Sequence, residues 1–161
     1  MRLSFTARIQ TTCPTVTLIQ GCNVCMHKQD SLKASSMLVP QVQRIVDIDG
    51  EFDLSNATII TDKKFQQEAL LASRQLPEAW EGSPLPVHPY PMRVPKSITM
   101  TNAYGDPQSE AYGILVNPAG ITITSSGSTG IFYAIQVLRQ IALTCGSRIP
   151  CFECQDAPKF S

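Results

Sequence analysis

The sequence predicts an α+β fold: a largely antiparallel β-sheet with two amphipathic helices packed on one face. Three observations carry this. Short segments alternate apolar and polar residues, as strands with one buried face require. Two longer segments repeat apolar residues at helical spacing. Strands and helices also fail to alternate regularly, as a βαβ sheet would demand. The 161 residues suit one ordinary domain, and 43% hydrophobic with 16% charged side chains is a globular composition.

Residues 1–37 read as a leader and tether. Arg8, Gln10, Thr11 and Thr12 interrupt any apolar core in the first part, so it makes a weak export signal. Leu18-Ile19-Gln20-Gly21-Cys22 resembles a bacterial lipoprotein cleavage box, although a poor apolar segment precedes it. Residues 23–37 are rich in Lys, Gln, Asp and Ser, which suits a tether.

The folded domain is expected over 38–161. Val42, Val46 and Ile48 alternate with polar residues and form a first strand; Gly50 then turns the chain into a short second strand, Glu51 to Leu54, and Ala57 to Ile60 form a third. Asp62 is the expected N-cap of a helix whose buried stripe is Phe65, Ala69, Ala72 and Leu76, with the Gln, Glu and Ser between them facing water. Pro77 ends that helix, because it lacks an N–H and clashes with the preceding turn. Six prolines between Pro77 and Pro95 predict a long, stiffened loop.

Ile98 and Met100 mark the next strand, and Tyr112, Ile114 and Val116 another. Ile121 and Ile123 complete an antiparallel hairpin across Asn117-Pro118-Ala119-Gly120, with Gly120 expected to supply positive φ. Ser128 is the expected cap of a second helix with the inner stripe Ile131, Ala134, Ile135, Leu138, Ile141 and Ala142. Gly146 suits its αL C-cap, and Ile149 to Cys154 form a last short strand.

Thirteen basic and thirteen acidic residues cancel, so no net field draws the chain to nucleic acid or anionic lipid. No stretch approaches the ~20 apolar residues of a transmembrane segment. A neutral partner is expected.

Residues 111–160 carry a resemblance. The hairpin, then Gly130-Ile131-Phe132-Tyr133-Ala134-Ile135-Gln136-Val137-Leu138-Arg139-Gln140, then Ile149-Pro150-Cys151 and Asp156-Ala157-Pro158-Lys159-Phe160, resemble the N-terminal domain of family 20 glycoside hydrolases, the β-N-acetylhexosaminidases. Typical members read Gly-x-Phe-Tyr-Gly-x-Gln-Thr-Leu-x-Gln in the helix and Asp-x-Pro-Arg-Phe after it. The likeness extends more weakly to Leu38-Val39-Pro40 and Glu51-Phe52-Asp53-Leu54. Ala134, Val137 and Lys159 stand where Gly, Thr and Arg are usual; Lys159 is a point charge and cannot reproduce the bidentate fork of Arg.

The resemblance implies a non-catalytic domain that supports a catalytic (β/α)8 barrel, in an extracytoplasmic setting: periplasmic, secreted or lipid-anchored. In the family a sugar-binding Arg and a catalytic Asp-Glu pair belong to that barrel, the Glu as general acid and the Asp orienting the substrate's own 2-acetamido group. The chain ends at Ser161 without them, so it is expected to be inactive alone, with no catalytic, cofactor or metal site. Tyr133, Gln136, Arg139, Asp156 and Lys159 are the expected barrel-facing residues. Two alternatives are a stand-alone module for N-acetylglucosamine-containing glycans, with Trp80 and Tyr90 stacking on sugar, and a remnant of a truncated hexosaminidase gene.

Other motifs have simpler readings. Cys22/Cys25 and Cys151/Cys154 lie too far apart for a zinc loop, and neither pair suits a redox motif; a disulfide from Cys145 to Cys151 or Cys154 would need export. Asp47, Asp49, Glu51 and Asp53 describe a solvated strand face more simply than a calcium loop. His27 and His88 lie in the tether and the Pro-rich loop, which gives a catalytic triad little support. Asn56-Ala57-Thr58 is a glycosylation sequon, relevant in a secreting eukaryote.

Overall fold

A computed structural model of the chain describes residues 33–37 and 43–157. Its strands are β1 (Arg44–Asp53), β2 (Thr58–Thr61), β3 (Val87–Pro89), β4 (Ser97–Asn102), β5 (Tyr112–Asn117), β6 (Gly120–Ser125) and β7 (Arg148–Asp156). Helix α1 spans Gln66–Gln75 and α2 spans Ser128–Cys145. All seven strands join one sheet in the order β1-β7-β5-β6-β4-β2-β3. The expected α+β sandwich is therefore present.

The sheet has two halves. β1, β7, β5 and β6 pair antiparallel and hold the longest ladder, which joins β1 to β7. From β6 through β4 and β2 to β3 the pairing is parallel. Parallel neighbours need crossovers. The segment holding α1 supplies one between β2 and β3, and this half was not legible in the apolar pattern.

Strand residues buried toward the helices align across the sheet: Phe152, Val116, Ile121, Ile98 and Ile59 form one row, and Cys154, Ile114, Ile123 and Met100 the next. Against them pack Phe65, Ala69, Ala72 and Leu76 from the first helical segment, and the whole predicted stripe of α2. Full burial of each large side chain contributes on the order of 1.5–3 kcal/mol, which fixes the helices to one face. On the other face Thr99 lies beside Thr122, Thr101 beside Thr124, and Leu115 is exposed.

Several local expectations are corrected. Gly50 does not separate two strands. β1 is continuous, with a bulge where four steps from Asp47 to Glu51 face two from Phe152 to Pro150. Gly50 takes φ +112° in it, and a Cβ there would lie 3.1 Å from Pro118 Cγ. Gly120 does not have positive φ. Its amide and that of Ala119 donate to Asn117 Oδ1 at 3.0 and 2.9 Å, which closes the turn. Glycine also eases the close approach of the neighbouring strand, since a Cβ would meet Ser97 O at 3.0 Å.

Ser128 is the first residue of α2, and Gly127 is its N-cap without a side-chain bond. A Cβ on Gly127 would strike the Pro107 and Ser109 carbonyl oxygens, so the close approach of that loop decides the residue. Gly146 has φ +79° with ψ −147°, outside αL. Asp62 accepts from Lys64 N at 3.0 Å, but caps a single 3-10 turn, Lys63–Phe65, ahead of α1. Ser73 on α1 does not face water; it is buried. The Pro-rich loop holds a 3-10 turn, Pro77–Trp80, and the edge strand β3, where Pro89 sits at the strand end and costs no interior ladder bond. β7 is longer than expected at both ends.

Candidate interaction surfaces

The helix layer has an unusual outer side. Arg139 is the only charged residue among the eighteen of α2, and its Nη2 lies 3.3 Å from Glu78 Oε2 in the 3-10 turn after α1. Gln136 Nε2 donates to Gln75 Oε1 of α1 at 2.9 Å. Gln136 and Arg139 thus meet the seam between helices. Tyr133 is half-buried, with its ring edge-on to Phe132 at 6.0 Å. Phe132, Leu143 and, on α1, Leu70 remain exposed at 39%, 57% and 44%. A solvated helix normally carries charge on its outer side. This one presents apolar side chains and a single charge, Arg139, whose Nη2 pairs with Glu78.

A second surface lies where β7 ends. Asp156 Oδ1 accepts from Ala157 N at 3.0 Å and from Gln43 N at 3.3 Å, while its Oδ2 accepts from the Tyr112 hydroxyl at 3.3 Å. One carboxylate thus pins the strand end to the segment before β1 and to β5. Burial, then the nearby Cys154 and Asp156, push the Tyr112 hydroxyl well above the usual phenol range. Beside this anchor is a cavity of about 600 Å³ bordered by Arg44, Tyr104, Ser126 and Gln155, with the Tyr104 side chain fully in solvent. Lys159 lies outside the described residues.

The two aromatics expected to stack on sugar occupy different ends of the β2–β3 pair. Tyr90 follows β3, and its N donates to Thr61 O at 2.9 Å. Trp80 lines a cleft with Thr58 and Pro86, at the other ends of β2 and β3. The structure does not bring Trp80 and Tyr90 together. The Trp80 indole lies against Gly82, where any Cβ would overlap Nε1 and Cδ1. Glu81 between them adopts the left-handed region at φ 56° and ψ 37°, which costs a non-glycine residue roughly 1–2 kcal/mol. Across the cleft, Asn56 Nδ2 donates to Ser55 Oγ at 3.3 Å, and Ser55 Oγ donates to Asp53 Oδ1 at 2.7 Å. The Ser55 hydroxyl and amide hold the Asp53 carboxyl below the usual range. Sequence reasoning missed this relay, because Asp53 and Ser55 meet only in the turn that follows β1.

The remaining polar motifs are distributed rather than clustered. Among the described residues, no group of three or more His, Cys, Asp and Glu is placed to hold a metal. Cys145, Cys151 and Cys154 are free thiols. Burial, then Asp156, pushes Cys154 up to about 12, and burial raises Cys145 and Cys151, so all three are poor nucleophiles. Asp47 accepts from the Ser35 amide and hydroxyl at 3.2 and 2.6 Å, and Glu51 lies 3.9 Å from Arg148. His88 sits mid-strand in β3, opposite Ile60. Cys22, Cys25 and His27 lie outside the described residues.

Comparison with known proteins places this geometry. The family model described as glycosyl hydrolase family 20, domain 2, matches residues 35–157. No curated protein matches the chain. Among solved structures, the chain resembles a β-N-acetylhexosaminidase from Bacteroides fragilis, with 26% identity and TM-score 0.58 over 74% of this chain and 24% of that one. A family 20 β-N-acetylhexosaminidase from Streptomyces coelicolor gives 18% identity and TM-score 0.66 over 81% and 28%. A chitobiase from Flavobacterium johnsoniae gives 20% identity and TM-score 0.61 over 81% and 22%. The chain spans about a quarter of the length of these structures.

Proposed function

The chain belongs to glycosyl hydrolase family 20 through its domain 2, and on that premise we propose that it is an accessory domain that docks on and supports a catalytic (β/α)8 barrel of a β-N-acetylhexosaminidase. The observation that carries the proposal is the outer side of the helix layer. Phe132 and Leu143 stand exposed on an eighteen-residue helix whose single charge is paired with Glu78. Covering such a surface with another folded body removes apolar area from water. Tyr133, Gln136 and Arg139 border the same surface.

The anchored end of β7 supports the reading. Asp156 fixes Ala157 at the end of β7, which supports a fixed orientation of the sheet end toward a docked barrel. Chemistry is assigned to the barrel, since burial raises the Cys145, Cys151 and Cys154 thiols and leaves them poor nucleophiles. Glycans are the proposed substrates of the assembled enzyme, and an extracytoplasmic setting is part of the proposal.

The test is a domain exchange. Residues 33–161 of this chain replace domain 2 of the Bacteroides fragilis enzyme, and hydrolysis of a chromogenic N-acetylglucosaminide and thermal stability are compared with those of the deletion lacking domain 2. We expect the exchange to restore both, while this chain alone shows no turnover. An exchange no better than the deletion overturns the supporting role.

A further inference from the structure

We propose that the cleft between Trp80 and Asn56 is a binding site for a neutral pyranose ring of a glycan. The cleft measures about 450 Å³, within the roughly 300–1,000 Å³ of small-ligand sites. Trp80 and Gly82 form one side, Ser55, Asn56 and Thr58 the other. None of its lining residues is charged, so it selects against ions and suits a ligand whose polar atoms are hydroxyl and amide groups.

Both sides are fixed before any ligand arrives. On one, the relay from Asp53 through Ser55 engages one N–H of Asn56 and leaves its Oδ1 without a partner among the described residues. On the other, Leu85 is buried and bonded in both directions to the buried Ser73 of α1, with Ser73 Oγ donating to Leu85 O at 2.5 Å and Leu85 N donating to Ser73 O at 3.0 Å. Ile59 N also donates to Pro86 O at 2.8 Å. Pro84 and Pro86 stiffen the wall between these anchors. The half-buried Trp80 packs on the core, while its indole N–H has no hydrogen-bond partner among the described residues. An aromatic ring that lines a cleft together with an oriented amide can stack on the apolar face of a sugar while the amide bonds its hydroxyls. Preorganisation on both sides limits the ordering cost that weakens binding at mobile loops.

Trp80 is the only tryptophan in the chain, so its emission reports this cleft directly. The probe is N,N'-diacetylchitobiose; the choice of sugar rests on the family reading, whereas the cleft does not. Bacterial production leaves Asn56 unmodified, so the titration reads free sugar rather than a glycan attached at the Asn56 sequon. We expect a saturable change in emission. By calorimetry, Asn56→Ala, at an exposed position, should weaken binding about tenfold, and Trp80→Phe should weaken it further while circular dichroism stays native.

The proposal is overturned if the emission of natively folded chain shows no saturable change, or if Asn56→Ala binds as well as the parent. Sugar binding without a functional domain exchange would count against barrel docking alone. A functional exchange without sugar binding would count against the cleft alone.

Discussion

Ser73 and Leu85 hold each other from both sides: the serine hydroxyl donates to the leucine carbonyl at 2.5 Å, and the leucine amide donates to the serine carbonyl at 3.0 Å. Both residues are buried, so water cannot replace the hydroxyl bond. Ser73→Ala should therefore destabilise the fold by about 1–3 kcal/mol. Urea denaturation measures the loss, and faster hydrogen exchange at Leu85 should accompany it. A stability within error of the parent would show that the clamp adds nothing.

Gly130 makes a prediction that runs against helix propensity. Alanine in a helix interior is normally better than glycine by about 1 kcal/mol. Here a Cβ would lie 2.2 Å from Ser125 Oγ and 2.5 Å from Ala111 O, and the latter is backbone of the strand approach that cannot swing away. Gly130→Ala should lower stability by roughly 1–3 kcal/mol, read from the midpoint of thermal unfolding. A gain would mean that the helix moves away from β5 and β6.

Alkaline pH should weaken the fold. The thiol of Cys154 is pushed up to about 12 and the Tyr112 hydroxyl is raised as well, chiefly by burial. In the unfolded chain these groups ionise nearer their ordinary values of about 9 for a thiol and 10 for a phenol. The folded state then binds more protons than the unfolded one, so stability falls as pH rises. The contribution is complete below about pH 9 and is lost on the way toward the folded values. Urea midpoints measured from neutral to alkaline pH should show this slope, and Cys154→Ala should make it shallower.

Substitutions on the outer helix surface should separate folding from docking. Phe132→Ser and Leu143→Lys replace exposed side chains, so each should change the stability of the isolated chain by about 0.5 kcal/mol or less. In the domain exchange the same changes should abolish the recovered activity and thermal protection. Retained recovery would place the barrel contact elsewhere.

Much of this molecule was written in local pattern. The α2 stripe from Ile131 to Ala142, the α1 stripe from Phe65 to Leu76, and the hairpin of β5 and β6 follow from periods of 3.6 and 2, because each residue there needs only to know its own buried side.

The tertiary structure decided what depends on residues distant in sequence. The parallel pairing of β4 with β2 and β6 is set by crossovers, which strand alternation does not encode. The single bulged β1 is set by its ladder with β7, about a hundred residues away. Gly120 and Gly127 answer to neighbouring backbone rather than to their own turns. The same holds for the surfaces. Gln136 and Arg139 were visible as polar helix residues, but only packing turned them toward Gln75 and Glu78. Trp80 and Tyr90 flank one loop in the sequence, and the β2–β3 pairing sent them to opposite ends. Local periodicity determines which side of an element is buried; which elements meet is decided by the ladder partners and close approaches that only the folded chain contains.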